Sequence, residues 1–494
     1  MSTLAIDFTQ LPKRPNASKL KQGLALSKGP FEYLAKNQNE FGDFTITAPG
    51  SPPMVFLNST SAVKEVMAIP EDHIDQARMP FPIDIGEKNT GFLGGNEHKD
   101  GRKILIPNVN AQRLKERAVD MYDIALQRVE QLQEGQQIDI TRFVGDVTLD
   151  IACFSLTGHK QGPQKDRYKH IMAKWLALST NNTMFMLGTM IGAARWRTMM
   201  HKRYQKKVAK GNFGKEKSFY FTPWGRAVEM KAQLDQMLRK DIQTARAQRD
   251  DSRSDILYYL SIATDSSGQL LSEDRVIAES LAVLFGGHET SAGTGGFFAL
   301  WLLKHPEACQ RIIEEVEQSI AEQGQFNPLA VSQLRYLNAA LMESQRLTPT
   351  IIGAMRCLTK DTHIAGYHIP AGVSVLVSPY LIGRQKSVWG EDADQFRPER
   401  WLEKKGVKPY EFFPFGGGHR TCVGLNQARQ QLKILFAVLL LKTQWDSKYK
   451  NNDIWPGQTN IAGTTQPEGG VPVTIRLRCP TNAGQNPTPL HGVT

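Results

Sequence analysis

The stretch Phe415–Gly416–Gly417–Gly418–His419–Arg420–Thr421–Cys422–Val423–Gly424 constrains this chain more than any other. Consecutive glycines approach a single cysteine, and an apolar helical pattern follows from Leu425 to Leu441. Glycine allows a sharp turn and a close backbone approach to something flat. Cys422 then falls just ahead of a helix N-terminus, where free N–H groups and the positive dipole end favour a thiolate. No second cysteine or histidine cluster lies nearby, which argues against tetrahedral zinc or an iron–sulfur cluster. A single axial thiolate suits a haem iron, whose other ligands come from the porphyrin. A solitary cysteine is ordinarily a small buried hydrophobe. The spaced Phe, Gly and Arg around this one favour the ligand instead.

The decapeptide resembles the haem-binding signature of the cytochrome P-450 superfamily, matching at Phe415, Gly416, Gly418, Arg420, Cys422 and Gly424. The resemblance implies a mainly α-helical fold with small β-sheets around one buried haem b. It makes Cys422 the proximal iron ligand, and Phe415, Arg420 and Gly424 cofactor contacts. It implies a haem-thiolate monooxygenase that inserts one oxygen atom of dioxygen into an apolar small molecule, such as a fatty acid, terpenoid or steroid-like compound.

Other parts of such a site follow in the expected order. From Ser272, a capping residue, a helical pattern runs to Lys304 and contains Phe285–Gly286–Gly287–His288–Glu289–Thr290–Ser291. Two glycines inside a helix each cost about 1 kcal/mol against alanine. Close helix packing is the plain explanation; a groove beside a flat cofactor is the functional one. Thr290 can bond back to the Gly286 carbonyl, and the spacing predicts that the helix opens there. The segment resembles the family's oxygen-activating motif, which implies proton relay by Thr290 and Glu289, Gly286 against the cofactor, and His288 turned away.

Glu343 and Arg346 are three apart on one predicted helix face. They resemble the family's E-x-x-R signature, which implies a buried network with Arg400 of Phe396–Arg397–Pro398–Glu399–Arg400. His98 and Arg102, four apart, resemble a family pair that grips haem propionates, and Arg356 resembles a third such contact. Substrate-lining positions implied by the resemblance are Phe92, Phe285, Ile351, Ile352, Ala354 and Thr464.

The whole chain, 1–494, reads as one domain, with residues 1–30 as an extended arm and 479–494 as a flexible polar tail. Residues 44–48 and 54–57 predict a hairpin, 70–95 an irregular loop, 166–194 one helical stretch and 460–478 a last hairpin. The basic segment 195–217 interleaves Trp196, Met199, Met200 and Tyr204 with Lys, Arg and His. Such runs are usually solvated faces; an amphipathic surface in weak contact with anionic lipid is the alternative.

The net charge of +11 suits an acidic redox protein, and no nucleic-acid motif accompanies it. The five scattered cysteines suit a reducing cytoplasm rather than a disulfide framework. The first residues carry no apolar run of signal or anchor length, so a soluble, bacterial-type member is expected. No flavin or nicotinamide fingerprint follows the cysteine loop, so electrons would come from a separate ferredoxin or flavodoxin, docking near Lys404, Lys405, Lys408, Arg429 and Lys433. Two rivals stay open: a peroxygenase or isomerase on the same fold, and a non-catalytic haem sensor. The Glu289–Thr290 pair favours neither.

Overall fold

The structure, a computed structural model, describes residues 17–47, 54–79, 81–210, 222–250, 252–403, 406–452, 454–461 and 463–478. The first part holds α1 (Lys19–Lys28), α2 (Pro30–Phe41), β1 (Phe44–Thr47), β2 (Met54–Leu57) and α3 (Thr60–Ala68). Next come α4 (Gly95–Leu105), α5 (Ala111–Glu130), β3 (Gln137–Asp139) and α6 (Ile140–Thr157). The middle is helical throughout: α7 (Pro163–Ser179), α8 (Asn182–Ile191), α9 (Ala193–Lys210), α10 (Pro223–Ala247), α11 (Ile256–Ile262) and α12 (Glu273–Lys304). Then follow α13 (Pro306–Gln323), α14 (Arg335–Leu347), β4 (Ala354–Cys357), β5 (Thr362–Ile364), β6 (Tyr367–Ile369) and β7 (Ser374–Val377). The last part holds α15 (Pro379–Ile382), α16 (Lys386–Trp389), α17 (Arg400–Glu403), α18 (Leu425–Lys442), β8 (Thr443–Asp446), β9 (Gln458–Ile461), β10 (Thr464–Pro467) and β11 (Pro472–Leu477). The strands form small sheets, in the orders β1-β2-β7-β4, β3-β11-β8, β9-β10 and β5-β6.

Helix α12 is the axis of the molecule. Ser272 caps it by accepting a hydrogen bond from Arg275 N, and Glu273 and Asp274 complement the positive dipole end. Its C-terminal half, with Phe298, Leu300 and Leu302, joins a core shared with α5, α6, α13, α14 and α18. Its N-terminal half, with Val276, Leu281 and Leu284, joins a second core with α6, α7, α10 and α11. Between Leu284 and Ser291 no residue of α12 is fully buried, although both flanks are. A helix hydrophobic on all sides but bare at its centre marks an internal cleft.

Several expectations need correction. Residues 19–28 form α1, capped by Ser18, and Pro30 starts α2, so the predicted extended arm is helical where described; residues 1–16 and the tail 479–494 lie outside the described residues. The stretch 166–194 divides into α7 and α8 at Thr180–Asn181, where the Thr180 hydroxyl donates to Leu176 O. The last hairpin is only β9–β10; β11 pairs with β3 and β8.

The basic segment carries both a solvated and a buried face. Trp196, Met200 and Tyr204 of α9 are buried against Met184, Ala227 and Val228. The apolar side that would lie on lipid is occupied by the protein's own core, and Arg195, Lys202 and Lys206 point outward. Residues 211–217 lie outside the described residues. No helix among the described residues is long and apolar enough to cross a membrane.

Candidate active site

The cysteine loop is shaped by its glycines. Gly416 and Gly418 have φ of 69° and 65°, which only glycine adopts readily. A Cβ on Gly418 would fall 2.0 Å from the Met67 carbonyl of α3. Cys422 N donates to Phe415 O at 2.9 Å, closing the loop, and Gly424 serves as N-cap of α18. Cys422 is exposed by surface area, although protein atoms crowd it closely. That combination describes a side chain on the wall of an internal cleft.

Burial pushes the Cys422 thiol up; the backbone N–H groups of Gly424 and Leu425 and the charge of Arg102 pull it down, but less. Desolvation outweighs the helix N-terminus here.

A buried charge network steadies this loop. Glu343 Oε1 accepts from Arg346 Nη2 at 2.7 Å, Arg400 Nε at 2.9 Å and Arg397 N at 3.0 Å. Glu343 Oε2 accepts from Arg346 Nε at 2.9 Å and Trp401 Nε1 at 2.8 Å. Arg346 spends its remaining donors on the carbonyls of Gly383, Ala393 and Gln395. All five of its N–H groups are therefore used, as a charge with a fully buried side chain requires. Trp401 packs on Phe412 with ring centroids 4.5 Å apart, and so carries the network to the start of the cysteine loop. Glu343, Arg346 and Arg400 come together as expected. Trp401 was missed; its place beside Arg400 was the available signal.

Basic residues gather beside the loop. Arg102 Nη1 donates to Thr421 O at 2.8 Å and Arg356 Nη2 to Gly417 O at 2.8 Å. Arg420 Nη2 donates to Glu71 Oε2 at 2.7 Å and to Leu93 O at 2.7 Å. His98 Nδ1 lies 3.2 Å from Glu71 Oε2. Burial, with Arg420 close by, holds His98 down to about 4 and Arg356 down to about 10. At neutral pH His98 is thus uncharged, and three arginines face one acid, leaving two positive charges over. Arg420 Nε is also buried without a hydrogen-bond partner among the described residues.

On the other wall, Thr290 Oγ1 donates to Gly286 O at 2.6 Å. The predicted bond is present, yet α12 keeps helical hydrogen bonding throughout and does not open. Gly286 is exposed, and a Cβ built on it meets nothing within 4 Å. His288 Nδ1 lies 2.9 Å from Gly145 O, turned away from the cleft, and its Nε2 is 3.9 Å from Glu289 Oε1. Further along, Thr294 Oγ1 donates to Thr290 O at 2.8 Å and lies 2.7 Å from Thr350 Oγ1. This hydroxyl chain was missed; threonines four apart on one helix were its signal.

The expected substrate positions divide. Ile351, Ile352, Ala354 and Phe285 are half-buried, as pocket walls would be. Phe285 and Val423, neighbours of Gly286 and Cys422, border the same apolar cluster. Phe92 instead is buried, with the Arg197 guanidinium 4.8 Å from its ring centroid. Thr464 is buried and bridges Ile351. Among the proposed docking cations, Lys433 is buried and Arg429 lies over the Phe415 ring. Lys408 is exposed, and Lys404 and Lys405 lie outside the described residues.

The residues fit a haem. Nothing lies within 4 Å of a Cβ built on Gly286, the Cys422 thiol is accessible, Phe285 and Val423 beside them border one apolar cluster, and two surplus positive charges match two propionates. A single cysteine ligand, a bare helix face and an arginine cradle define the haem-thiolate class. A family model for cytochrome P450 matches residues 12–471, and the chain belongs to that family. It is similar to cytochrome P450 3A14 of Cavia porcellus, 22% identical over 84% of this chain and 82% of the relative. It is also similar to a 3-beta-hydroxylase of Tanacetum parthenium, 26% identical over 86% of this chain and 83% of the relative. The solved structure of retinoic acid bound cyanobacterial CYP120A1 matches with a TM-score of 0.75 at 21% identity, covering 95% of this chain and 99% of that one. That likeness shows the fold. The protein is a haem-thiolate monooxygenase with haem b as its cofactor.

Proposed function

We propose that this monooxygenase inserts one oxygen atom of dioxygen into an apolar small molecule of the fatty acid, terpenoid or steroid-like class, working as a single domain in the cytoplasm. Its electrons come from a separate ferredoxin or flavodoxin. The observation that carries the reading is the bare centre of α12, where Gly286 leaves space and Thr290 offers a hydroxyl.

In this account Cys422 binds the iron. Arg102, Arg356, Arg420 and His98 receive the propionates, and the haem, when bound, supplies dioxygen activation. Thr290 holds a proton on Oγ1 and passes it into the cleft. Glu289, half-buried beside it, reloads that hydroxyl from solvent. Ile351, Ile352, Ala354 and Phe285 exclude water and orient the apolar substrate. Phe92 supports that wall from behind, and Thr464 fixes the Ile351 strand from its own buried position.

The test is a screen for apolar compounds that shift the haem spin state, followed by product analysis under labelled dioxygen. One labelled oxygen atom per product supports the proposal; unlabelled product, or none from any binder, contradicts it. For the partner, raising salt should slow reduction by an acidic ferredoxin, since the net charge is +11. A rate independent of salt argues against electrostatic docking.

A further inference from the structure

Glu71 belongs to none of the motifs that carry the site. It opens a short 3-10 turn, Glu71–His73, and its side chain is 4% exposed. Oε2 takes the Arg420 Nη2 hydrogen bond at 2.7 Å and stands 3.2 Å from His98 Nδ1. Oε1 is buried with no hydrogen-bond partner among the described residues. Arg102 and Arg356 also feel its charge. Buried carboxylate oxygens are ordinarily satisfied. One left bare beside three guanidinium groups has a reason to be there other than packing.

We infer that Glu71 is a positioning residue for the haem: it fixes Arg420 at the edge of the cleft and removes one positive charge from the arginine cluster, so that two propionates complete the balance. The inference rests on haem b occupying this cleft. Two consequences follow from simple electrostatics. The negative charge of Glu71 disfavours the reduced, more electron-rich iron, so it lowers the reduction potential. It also restrains Arg420, whose other hydrogen bonds among the described residues go to the carbonyls of Gly91 and Leu93.

The experiment measures the ferric–ferrous midpoint potential of the holoenzyme and of Glu71→Gln, Glu71→Asp, Arg420→Gln and the double variant E71Q/R420Q. Each is first checked for a thiolate-ligated carbonyl spectrum, so that failure of the haem reading shows itself separately. Glu71→Gln should favour the ferrous state roughly tenfold, about 59 mV for a one-electron couple, and Glu71→Asp should stay near the parent. Arg420→Gln should shift the opposite way, and the double variant should return toward the parent because the net charge is restored. If Glu71→Gln does not retain haem, Arg420→Gln and the double variant carry the test alone. A potential unmoved in Glu71→Gln, or a double variant equal to Arg420→Gln, overturns the inference.

Discussion

Around Glu343 every buried charge meets its complement, whereas around Gly286 the helix leaves its surface bare. The first region surrounds the cysteine loop; the second faces it across the cleft. In the first, five donors of Arg346 and both oxygens of Glu343 are consumed by short, directional bonds. In the second, hydroxyls bond within their own helix or to one neighbour, and half-buried apolar side chains make the walls. One side is built to hold the cysteine loop still, and the other leaves open space beside α12. Stability should therefore concentrate on the ligand side, and changes in turnover on the open side.

The sharpest break of that contrast is at Glu343. Glu343→Ala leaves Arg346 and Arg400 buried without their partner, and should cost about 3–5 kcal/mol. Thermal unfolding of the holoenzyme checks it; a loss below about 1 kcal/mol would mean that the network is dispensable.

Arg197 comes next. It is buried on α9 and donates to the carbonyls of Ala77, Met79 and Phe81, joining α9 to the segment after Gln76. Arg197→Met orphans those carbonyls and should cost about 1–3 kcal/mol. Because Phe81 packs on Phe285, a proposed wall of the pocket, with ring centroids 5.2 Å apart, KM should rise more than kcat falls. Steady-state kinetics on any substrate found by the spin-state screen decides between this and a uniform loss.

Thr290→Ala removes the hydroxyl from the open wall and should leave unfolding nearly unchanged. Product formed per electron pair consumed should fall by roughly tenfold or more, with Thr290→Ser recovering much of it. Equal coupling in Thr290→Ala would remove Thr290 from the proton path.

The smallest effect expected is on α9 in response to pH. His201 of α9 lies 3.9 Å from Asp84, and its pKa is raised mainly by that carboxylate, against burial and the charge of Lys231. A raised folded-state pKa gives stability that is complete below the ordinary histidine value of about 6.5 and fades as pH climbs through the raised value. Lys231, 3.8 Å from Asp84, stays charged across that range and limits the change. Amide exchange in α9 should be modestly faster, relative to the core of α12, at pH 8 than at pH 6. An α9 whose exchange tracks the α12 core at both values would refute the contribution of the pair.

The same contrast explains what the sequence made legible. Cys422, Glu343, Arg346 and Arg400 lie in short motifs whose glycines and charges are local, so the letters reveal the geometry. The Thr290–Gly286 bond was legible for the same reason, since residues four apart on a helix must meet. Glu71 was not, because it reaches Arg420 from 349 residues away in the chain and no pattern links them. Trp196, Met200 and Tyr204 would suit a lipid face and a protein core equally well, so the sequence alone leaves the direction of α9 open. Only the partners Met184, Ala227 and Val228 distinguish the two. The helix N-terminus behind the cysteine is visible in sequence, whereas the burial that opposes it is not.

The central claim is that Cys422, as a thiolate, is the protein ligand of a haem iron in this cleft. The most direct measurement is the absorption spectrum of the purified protein, reduced and exposed to carbon monoxide. The account predicts the band of a thiolate-ligated carbonyl haem, lost in Cys422→Ser. A nitrogen-ligated spectrum, or protein that binds no haem, would contradict it.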